Sequence, residues 1–251
     1  YTENEAATVI DNTITITDDD DIEIDGGTVT ISTGFTTGDI LEFTTQNDIN
    51  GTYDSSTGVL TISGTASLSE YETALQSITY HSTSEDPTIT SFNRTITWEV
   101  TDADSDGAGA EISTAVTSTI TITPINDPPV MTADATLDYT ENEAATVIDN
   151  TITITDADDI EIDGGTVTIS SGFTEGDTLI LGNPGSLDTT FSNNVLTITG
   201  TGSLNNYRDA LRSITYHSTS EDPTITSFNR IISWTVTDAN SEILGAEIST
   251  A

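Results

Sequence analysis

Two acidic runs carry the strongest chemical signal in the sequence. Residues 18–21 read DDDD and residues 156–159 read DADD, and each run follows a segment in which Thr and Ile alternate. Two carboxylates on alternate residues after a strand lie on the same side of the chain, so both can face one ion. Ca²⁺ takes about six to eight oxygen ligands, mostly carboxylates and carbonyls, so other segments must contribute too.

The acidic runs occupy equivalent positions in a tandem repeat. Residues 139–155 copy residues 1–17 letter for letter, and the segment SITYHSTSEDPTITSFNR occurs at residues 77–94 and again at 213–230. A repeat of this length is the size of a domain rather than of a solenoid coil. We therefore predict two domains, residues 1–127, lacking a leading strand, and residues 128–251, lacking the last strand.

The joint between the repeats contains further residues that could supply oxygen ligands. Asn126 and Asp127 precede Pro128 and Pro129, which stiffen this linker. We expect them to meet Asp156 and Asp158 of the second repeat and acidic residues of the first repeat's opening segment, namely Glu3 and Glu5. The sequence therefore predicts a calcium site at the joint.

Composition narrows the classes of function. The chain has 42 acidic residues against four arginines and a formal net charge of −38, so nucleic acid is excluded as a partner. With no Cys, disulfides and thiol chemistry are excluded as well. No stretch is apolar for the length of a membrane span, so membrane insertion is not expected. A diffuse acidic surface, as in a salt-adapted protein, is the alternative to clustered metal ligands.

Short alternating segments predict an all-β fold. Five segments of the first repeat have one apolar face and one Thr face, and Gly residues mark the turns between them. In the first repeat they are residues 13–17, 28–32, 60–63, 95–100 and 118–123. We predict two tandem antiparallel β-sandwiches, cadherin- or Ig-like with Greek-key connections. One short helix in each is indicated by the capping box from Ser67 to Glu70.

Four motifs, which occur in the order that cadherin repeats have, resemble those of that family. YTENE is similar to the family's Pro-Glu-x-Glu motif, TITDADD to its Asp-x-Asp segment, VTDADSDG to the Asp that ends its sixth strand, and ITPINDPPV to its terminal linker. The chain thus resembles the divergent cadherin-like repeats in large bacterial surface adhesins of the RTX type. Pro124 and Pro128 replace two linker ligands of that family, which implies one to three ions per joint.

The resemblance implies a ligand set for each joint. At the joint between the repeats the ligands would be Glu3, Asn126, Asp127, Asp156, Asp158 and Asp238. At the free end of repeat 1 they would be Asp18, Asp20 and Asp102, and Glu141 would face the joint that follows. Asp102, Asp104 and Asp106 also have the spacing of the first half of a calcium loop, with Ser113 where a Glu is needed. A polar turn is the alternative interpretation of that loop.

Other residue types favour structural roles. One His per repeat, His81 and His217, does not suffice for a catalytic triad or a zinc site. Trp98 and Trp234 lie in the middle of strands, which indicates core positions. Arg94 and Arg230 are expected to pair with nearby carboxylates, with little gain in stability if they are exposed.

These observations predict a non-catalytic function. The expected role is that of a calcium-stiffened spacer, at the bacterial cell surface, in a large extracellular adhesin involved in biofilms. Its partners would be neighbouring repeats, with strand exchange between copies or a glycan or host surface as further possibilities. Two alternatives stay open: a filament subunit completed by a neighbour's strand, and a carbohydrate-binding accessory repeat.

Overall fold

The computed structural model describes residues 1–104, 107, 109–239 and 247–249. They separate into two units, Tyr1–Ile125 and Asn126–Ala251. Asp106, one of the predicted ligands, lies outside the described residues. Residue 240, which corresponds to Asp104 in the second repeat, lies outside them as well.

Unit 1 is a sandwich of two antiparallel sheets that enclose one apolar core. Its elements are β1 Thr8–Val9, β2 Glu23–Thr33, β3 Asp39–Glu42, β4 Asn50–Asp54, β5 Val59–Ser67, α1 Leu68–Gln76, β6 Thr79–Ser82, β7 Asn93–Asp102 and β8 Val116–Thr121. One sheet has the order β4-β5-β2-β7-β8 and the other β1-β6-β3. The predicted all-β sandwich is confirmed.

Unit 2 repeats this plan with one difference at each end. Its elements are β9 Val130–Thr132, β10 Thr146–Val147, β11 Thr153–Thr155, β12 Glu161–Ser171, β13 Asp177–Leu181, β14 Asp188–Ser192, β15 Val195–Ser203, α2 Leu204–Leu211, β16 Ile214–Ser218 and β17 Ile231–Asp238. The sheets have the orders β14-β15-β12-β17 and β10-β16-β13, with a separate pair β11-β9. Among the described residues, β8 has no counterpart here.

Alternation of apolar and polar residues builds the cores as the sequence predicts. In β2 the side chains of Ile24, Val29 and Ile31 are buried, while Thr residues between them face outward or are partly covered. Trp98 and Trp234 are 3% and 5% exposed, so the interpretation as core residues is confirmed. This burial also removes both indole rings from any sugar-stacking role.

A strand predicted at residues 13–17 is not formed in unit 1, whereas its copy in unit 2 forms β11. The two segments have the same sequence, TITIT, but only the second has a partner. Thr153 to Thr155 pair with β9, which comes from the segment that precedes the repeat. A strand is defined by its hydrogen-bonded neighbour, so identical residues give a strand in one unit and an extended segment in the other.

The predicted capping box begins the helix of unit 1. Ser67 Oγ accepts the N–H of Glu70, and the Glu70 carboxylate accepts the N–H of Ser67 at 3.0 Å. Tyr71, Ala74 and Leu75 of α1 are buried against the core. In unit 2 only one of the two capping hydrogen bonds is formed. Ser203 Oγ accepts the N–H of Asn206, and Asn206 stands where unit 1 has Glu70.

The opening and closing segments of unit 1 lie side by side. Thr2 pairs with Thr123 in the parallel sense. The N–H of Glu3 donates to Thr123 O and the N–H of Thr123 to Tyr1 O, each at 2.9 Å. The opening and closing segments of the unit are therefore joined directly by backbone hydrogen bonds.

Each unit contains an ion pair that is buried or nearly so. Arg94 Nε donates to Asp39 Oδ2 at 2.6 Å, and both side chains are fully buried. The hydroxyl of Tyr80 donates to the other oxygen of Asp39, at 2.7 Å. The guanidinium also donates to the carbonyls of Pro87 and Ser91, so it fixes the loop between β6 and β7. The expected pairing is present, but it is buried rather than exposed.

Candidate metal centre

The acidic loop of unit 2 is shaped by its own first carboxylate. It lies between β11 and β12, and Asp156 Oδ1 accepts the N–H groups of Asp158 and Asp159 at 3.2 and 2.9 Å. This turn brings one carboxylate oxygen of each of these three residues within 4.8 Å of the others. Asp156 and Asp158 are partly buried and Asp159 is buried, so three negative charges share one confined position.

The linker segment lies against this loop. The N–H of Asp127 donates to Asp158 Oδ2 at 3.0 Å. Asn126 is 6% exposed, and its Nδ2 donates to Asp238 Oδ2 at 2.9 Å. Asp238, at the end of β17, is fully buried, and both of its oxygens accept the N–H of Glu247 at 3.0 Å. Three segments of unit 2 thus converge on one acidic position.

Several buried oxygens at this position face no hydrogen-bond donor. Within the part of the chain that the structure describes, Asn126 Oδ1, Asp156 Oδ2 and Asp158 Oδ1 are buried and accept no hydrogen bond. A buried polar atom without a partner costs about 1–3 kcal/mol. Oxygen acceptors without donors are suited to a cation, and a carboxylate–carbonyl set is the type that Ca²⁺ prefers.

The protonation of Asp156 reflects the crowding of charge. Burial, followed by the nearby Asp158 carboxylate, raises the pKa of Asp156 to about 7. A carboxyl group with such a pKa is held among like charges and away from water. A divalent cation at the same position would remove the repulsion between these carboxylates.

The cations of the protein itself are engaged elsewhere. Arg94 and Arg230 bind Asp39 and Asp177, Arg208 binds Asp209, and Arg212 donates to the carbonyl of Ile152. These four are all the Arg side chains of the chain, which has no Lys.

Unit 1 carries the same loop in a different setting. Asp18 Oδ1 accepts the N–H of Asp21 at 2.9 Å and that of Asp20 at 3.2 Å, and these bonds lower the pKa of Asp18. The three carboxylates lie within 4.8 Å of one another, as in unit 2. Together with Asp102 they line a cavity of about 440 Å³. The loop is therefore more open than its copy.

The structure places the remaining predicted ligands in other settings. Glu3 is 2% exposed within unit 1, and its Oε2 accepts the N–H of Ile125 at 2.8 Å, whereas its copy Glu141 is exposed. Asp104 adopts a left-handed φ of 52° and accepts the N–H of Gly109 at 2.7 Å. This geometry is that of a polar turn. Asp102 Oδ2 accepts the N–H of Glu111 at 2.8 Å.

One residue of each acidic loop was not among the predicted ligands. Asp21 and Asp159 are the last residues of the acidic runs, 5% and 2% exposed, and each contributes an oxygen to its cluster. The signal was present, because each of the two precedes the apolar residue that leads into β2 or β12. An acidic residue directly before a long strand is placed at the rim of the sandwich, beside the end of the neighbouring strand.

Comparison with known proteins adds one relative. The chain is similar to halomucin of Haloquadratum walsbyi. The two are 40% identical over 86 residues, which make up 32% of this chain and 1% of halomucin. The chain thus spans a very small part of the length of halomucin. No protein-family model matches the sequence.

Neither of the two helices in the described part of the chain could cross a membrane. They have nine and eight residues, and neither is long and apolar enough to span one.

Proposed function

We propose that the chain is a non-catalytic stretch of a large extracellular surface protein whose repeats bind calcium. In unit 2 the ion would be held by Asp156, Asp158 and Asp159 of the acidic loop, together with Asn126, Asp127 and Asp238. The observation that carries the proposal is the convergence of buried oxygens that lack donors, above all Asn126 Oδ1, whose residue is 6% exposed. The raised pKa of Asp156 supports it, because the cluster carries uncompensated negative charge.

The setting in a surface protein is supported by three features. The chain consists of two domain-sized copies, is strongly acidic, and is similar to part of halomucin, a large surface protein of a halophilic organism. The resemblance to cadherin-like repeats of bacterial adhesins agrees with this setting and with metal binding by the repeats. The acidic surface as a whole also fits salt adaptation, and the two roles involve different carboxylates.

Calcium would then act on the linker. Asn126 and Asp127 are the first residues of unit 2, and each is hydrogen-bonded to one of the acidic side chains proposed as ligands. An ion bound by the same groups would fasten the linker to unit 2 and remove torsional freedom directly after Ile125. The repeats would serve as spacers that stiffen when the ion binds, as the sequence predicts.

Calorimetric titration of the chain with CaCl₂ tests the site. We expect saturable binding to wild-type protein, and at least tenfold weaker binding at the unit 2 site in the double variant Asp156→Asn, Asp158→Asn, because two charged ligands are lost. Asp188→Asn is the matched control, since Asp188 is an exposed carboxylate of β14. The titration should be repeated at high salt, where interactions of exposed charges are screened.

Two outcomes would contradict the proposal. One is titration heat that disappears in high salt for all three proteins, which would indicate only diffuse screening of the acidic surface. The other is equal binding by wild type and the double variant. A separate test of the spacer role is X-ray scattering, and curves that are the same in calcium and in chelator would refute stiffening without refuting ion binding.

A further inference from the structure

The edge strand β4 of unit 1 begins with a motif that could be chemically modified. β4 pairs with β5 on one side and forms an edge of the five-stranded sheet. Its first residues, Asn50, Gly51 and Thr52, read Asn-x-Thr. In this motif the Asn amide accepts a glycan, and the transferase also requires the hydroxyl two residues later. So short a motif also arises by chance, and its setting in the fold decides whether it can react.

The two reactive side chains of this motif share one face of β4. Residues two apart in a strand point to the same side, and both Asn50 and Thr52 are exposed. Gly51 faces the opposite side, where a Cβ would lie 2.6 Å from Cδ1 of Phe43. The glycine therefore lets the Phe43 ring pack behind the strand while the amide and the hydroxyl stay on its outer face.

The Asn50 amide makes local hydrogen bonds. Its Nδ2 donates to the carbonyl of Asp48 at 3.2 Å, and its Oδ1 accepts the hydroxyl of Thr45 at 3.5 Å. Both partners lie within five positions of Asn50 in the sequence, and both bonds are long. Turning the amide toward an enzyme would therefore break these exposed bonds and leave the core of the sandwich intact.

A second Asn-x-Thr motif, residues 93–95, lies in a setting that blocks it. Its middle residue, Arg94, is fully buried in the ion pair with Asp39. Thr95 is partly buried, and its hydroxyl accepts that of Thr33 at 2.6 Å. The motif belongs to β7, which has β2 on one side and β8 on the other. An enzyme could bind this motif only by taking the sheet apart.

Unit 2 carries a charge at the position of Asn50. Asn50 lies opposite Ser63 of β5, and Asp188 lies opposite Thr199, the copy of Ser63, in β15. Edge strands offer unpaired N–H and C=O groups to other chains, and a charged side chain is one way to prevent such pairing. Asp188 supplies that charge at the start of β14, whereas the carboxylate of β4, Asp54, is at its other end. A glycan on Asn50 would cover the uncharged start of β4.

We propose that Asn50 carries an N-linked glycan. Its Nδ2 would attack the anomeric carbon of a lipid-linked oligosaccharide, and the bond from that carbon to the lipid phosphate would break. The bonding electrons leave with the phosphate oxygen, and the amide nitrogen gives up one proton. A transferase of the producing cell catalyses the step, and this chain is its substrate. The proposal rests on the extracellular setting of the proposed function, because this modification belongs to exported proteins.

Mass spectrometry of the protein from the cells that produce it tests the proposal. We expect the proteolytic peptide with residues 50–52 to carry the mass of at least one sugar, and the peptide with residues 93–95 to carry none. In the same cells, Asn50→Gln and Thr52→Ala should lose the glycan completely, whereas Thr52→Ser keeps the hydroxyl and should keep the glycan. Thr61→Ala is the matched control, because Thr61 is exposed opposite Thr52 but lies outside the motif.

Several results would overturn the proposal. They are an unmodified peptide 50–52, a mass change that corresponds only to deamidation of Asn50, a glycan that survives Thr52→Ala, or a glycan on Asn93 instead. Protease treatment of intact cells separates these results from failure of the proposed function. If the protein is at the surface and Asn50 is unmodified, this proposal fails alone. If the protein is inside the cell and Asn50 is unmodified, the surface setting fails with it. Neither measurement depends on calcium binding.

Discussion

Arg94 and Arg230 show how one residue can organise a loop. Each guanidinium is bound to a buried carboxylate and to two backbone carbonyls of the loop that precedes its strand. The loop contains a Pro and little regular structure, so its position depends on these bonds. Replacing the Arg removes the hydrogen bonds that hold the loop in place. It also leaves Asp39 or Asp177 as a buried charge without its cation.

Substitution of Arg94 by Ala should strongly destabilise unit 1. We expect a loss of about 3–5 kcal/mol in the free energy of unfolding, because the Asp39 carboxylate becomes an uncompensated buried charge. Arg208→Ala removes the exposed pair with Asp209 and should cost about 0–1 kcal/mol. Urea denaturation measures both. If Arg94→Ala and Arg208→Ala lowered the free energy of unfolding by the same amount, the buried pair would not be a major source of stability.

Stability of unit 2 should fall in acid through Asp177. Burial acts to raise the pKa of Asp177, but hydrogen bonds from Arg230 and Tyr216 outweigh it and hold the pKa below the usual 3.8. A lowered folded-state pKa contributes stability above the unfolded pKa and loses it as pH falls through the folded value. Urea midpoints measured from about pH 5 downward should therefore decline less steeply in Asp177→Asn. A decline as steep as that of wild type would contradict this role.

At the scale of residues, the sequence was more informative about local patterns than about contacts between distant segments. It identified the acidic loops and the core Trp residues, because local spacing and strand position reveal both. It did not reveal that Arg94 meets Asp39, which lies 55 positions away, in a buried ion pair. Nor did it include Asp21 and Asp159 among the expected ligands, since their burial follows from the neighbouring strand end. Such contacts depend on the sheet register, which short alternating segments do not specify.

At the scale of elements, pairing rather than propensity explains where prediction failed. Residues 13–17 and 151–155 are both TITIT, yet only the second contains a strand, because β9 is available to pair with it. The predicted strands at residues 28–32, 60–63 and 95–100 lie within β2, β5 and β7. Each of these three strands has a hydrogen-bonded strand on both sides. The helix was predictable from its cap, which is a local signal.

The cap of α1 should contribute measurably to stability. Ser67→Ala removes the acceptor for the Glu70 N–H and half of the reciprocal box, and we expect unfolding to become easier by about 1 kcal/mol. Thr73→Ala is the control within the same helix, because Thr73 is exposed and Ala favours helix. Thermal denaturation distinguishes the two. If Ser67→Ala leaves the Tm unchanged, the packing of Tyr71 and Leu75 against the core is sufficient to hold the helix.

At the scale of the whole molecule, calcium should affect the two units unequally. In unit 2 the linker residues Asn126 and Asp127 add to the acidic loop, whereas the copy of the loop in unit 1 borders an open cavity. A ligand present at about 100 times its Kd stabilises by about 2.7 kcal/mol. Differential scanning calorimetry should therefore show a larger calcium-dependent rise in Tm for unit 2.

Variants assign the two thermal transitions. Asp156→Asn should abolish the calcium-dependent shift of unit 2 alone, and Asp18→Asn should affect only the transition of unit 1. Equal shifts in both units, or a shift of unit 2 that survives Asp156→Asn, would show that the linker residues do not strengthen the site.

The parallel pairing of Thr2 with Thr123 has a mechanical consequence. A unit pulled by Tyr1 and Ile125 in opposite directions would place the hydrogen bonds between its opening and closing segments under shear. Bonds arranged in this way share the load and must break together, whereas those of a hairpin pulled at its open end break one after another. Unit 1 should therefore resist stretching with a force peak at small extension, before its core is disturbed.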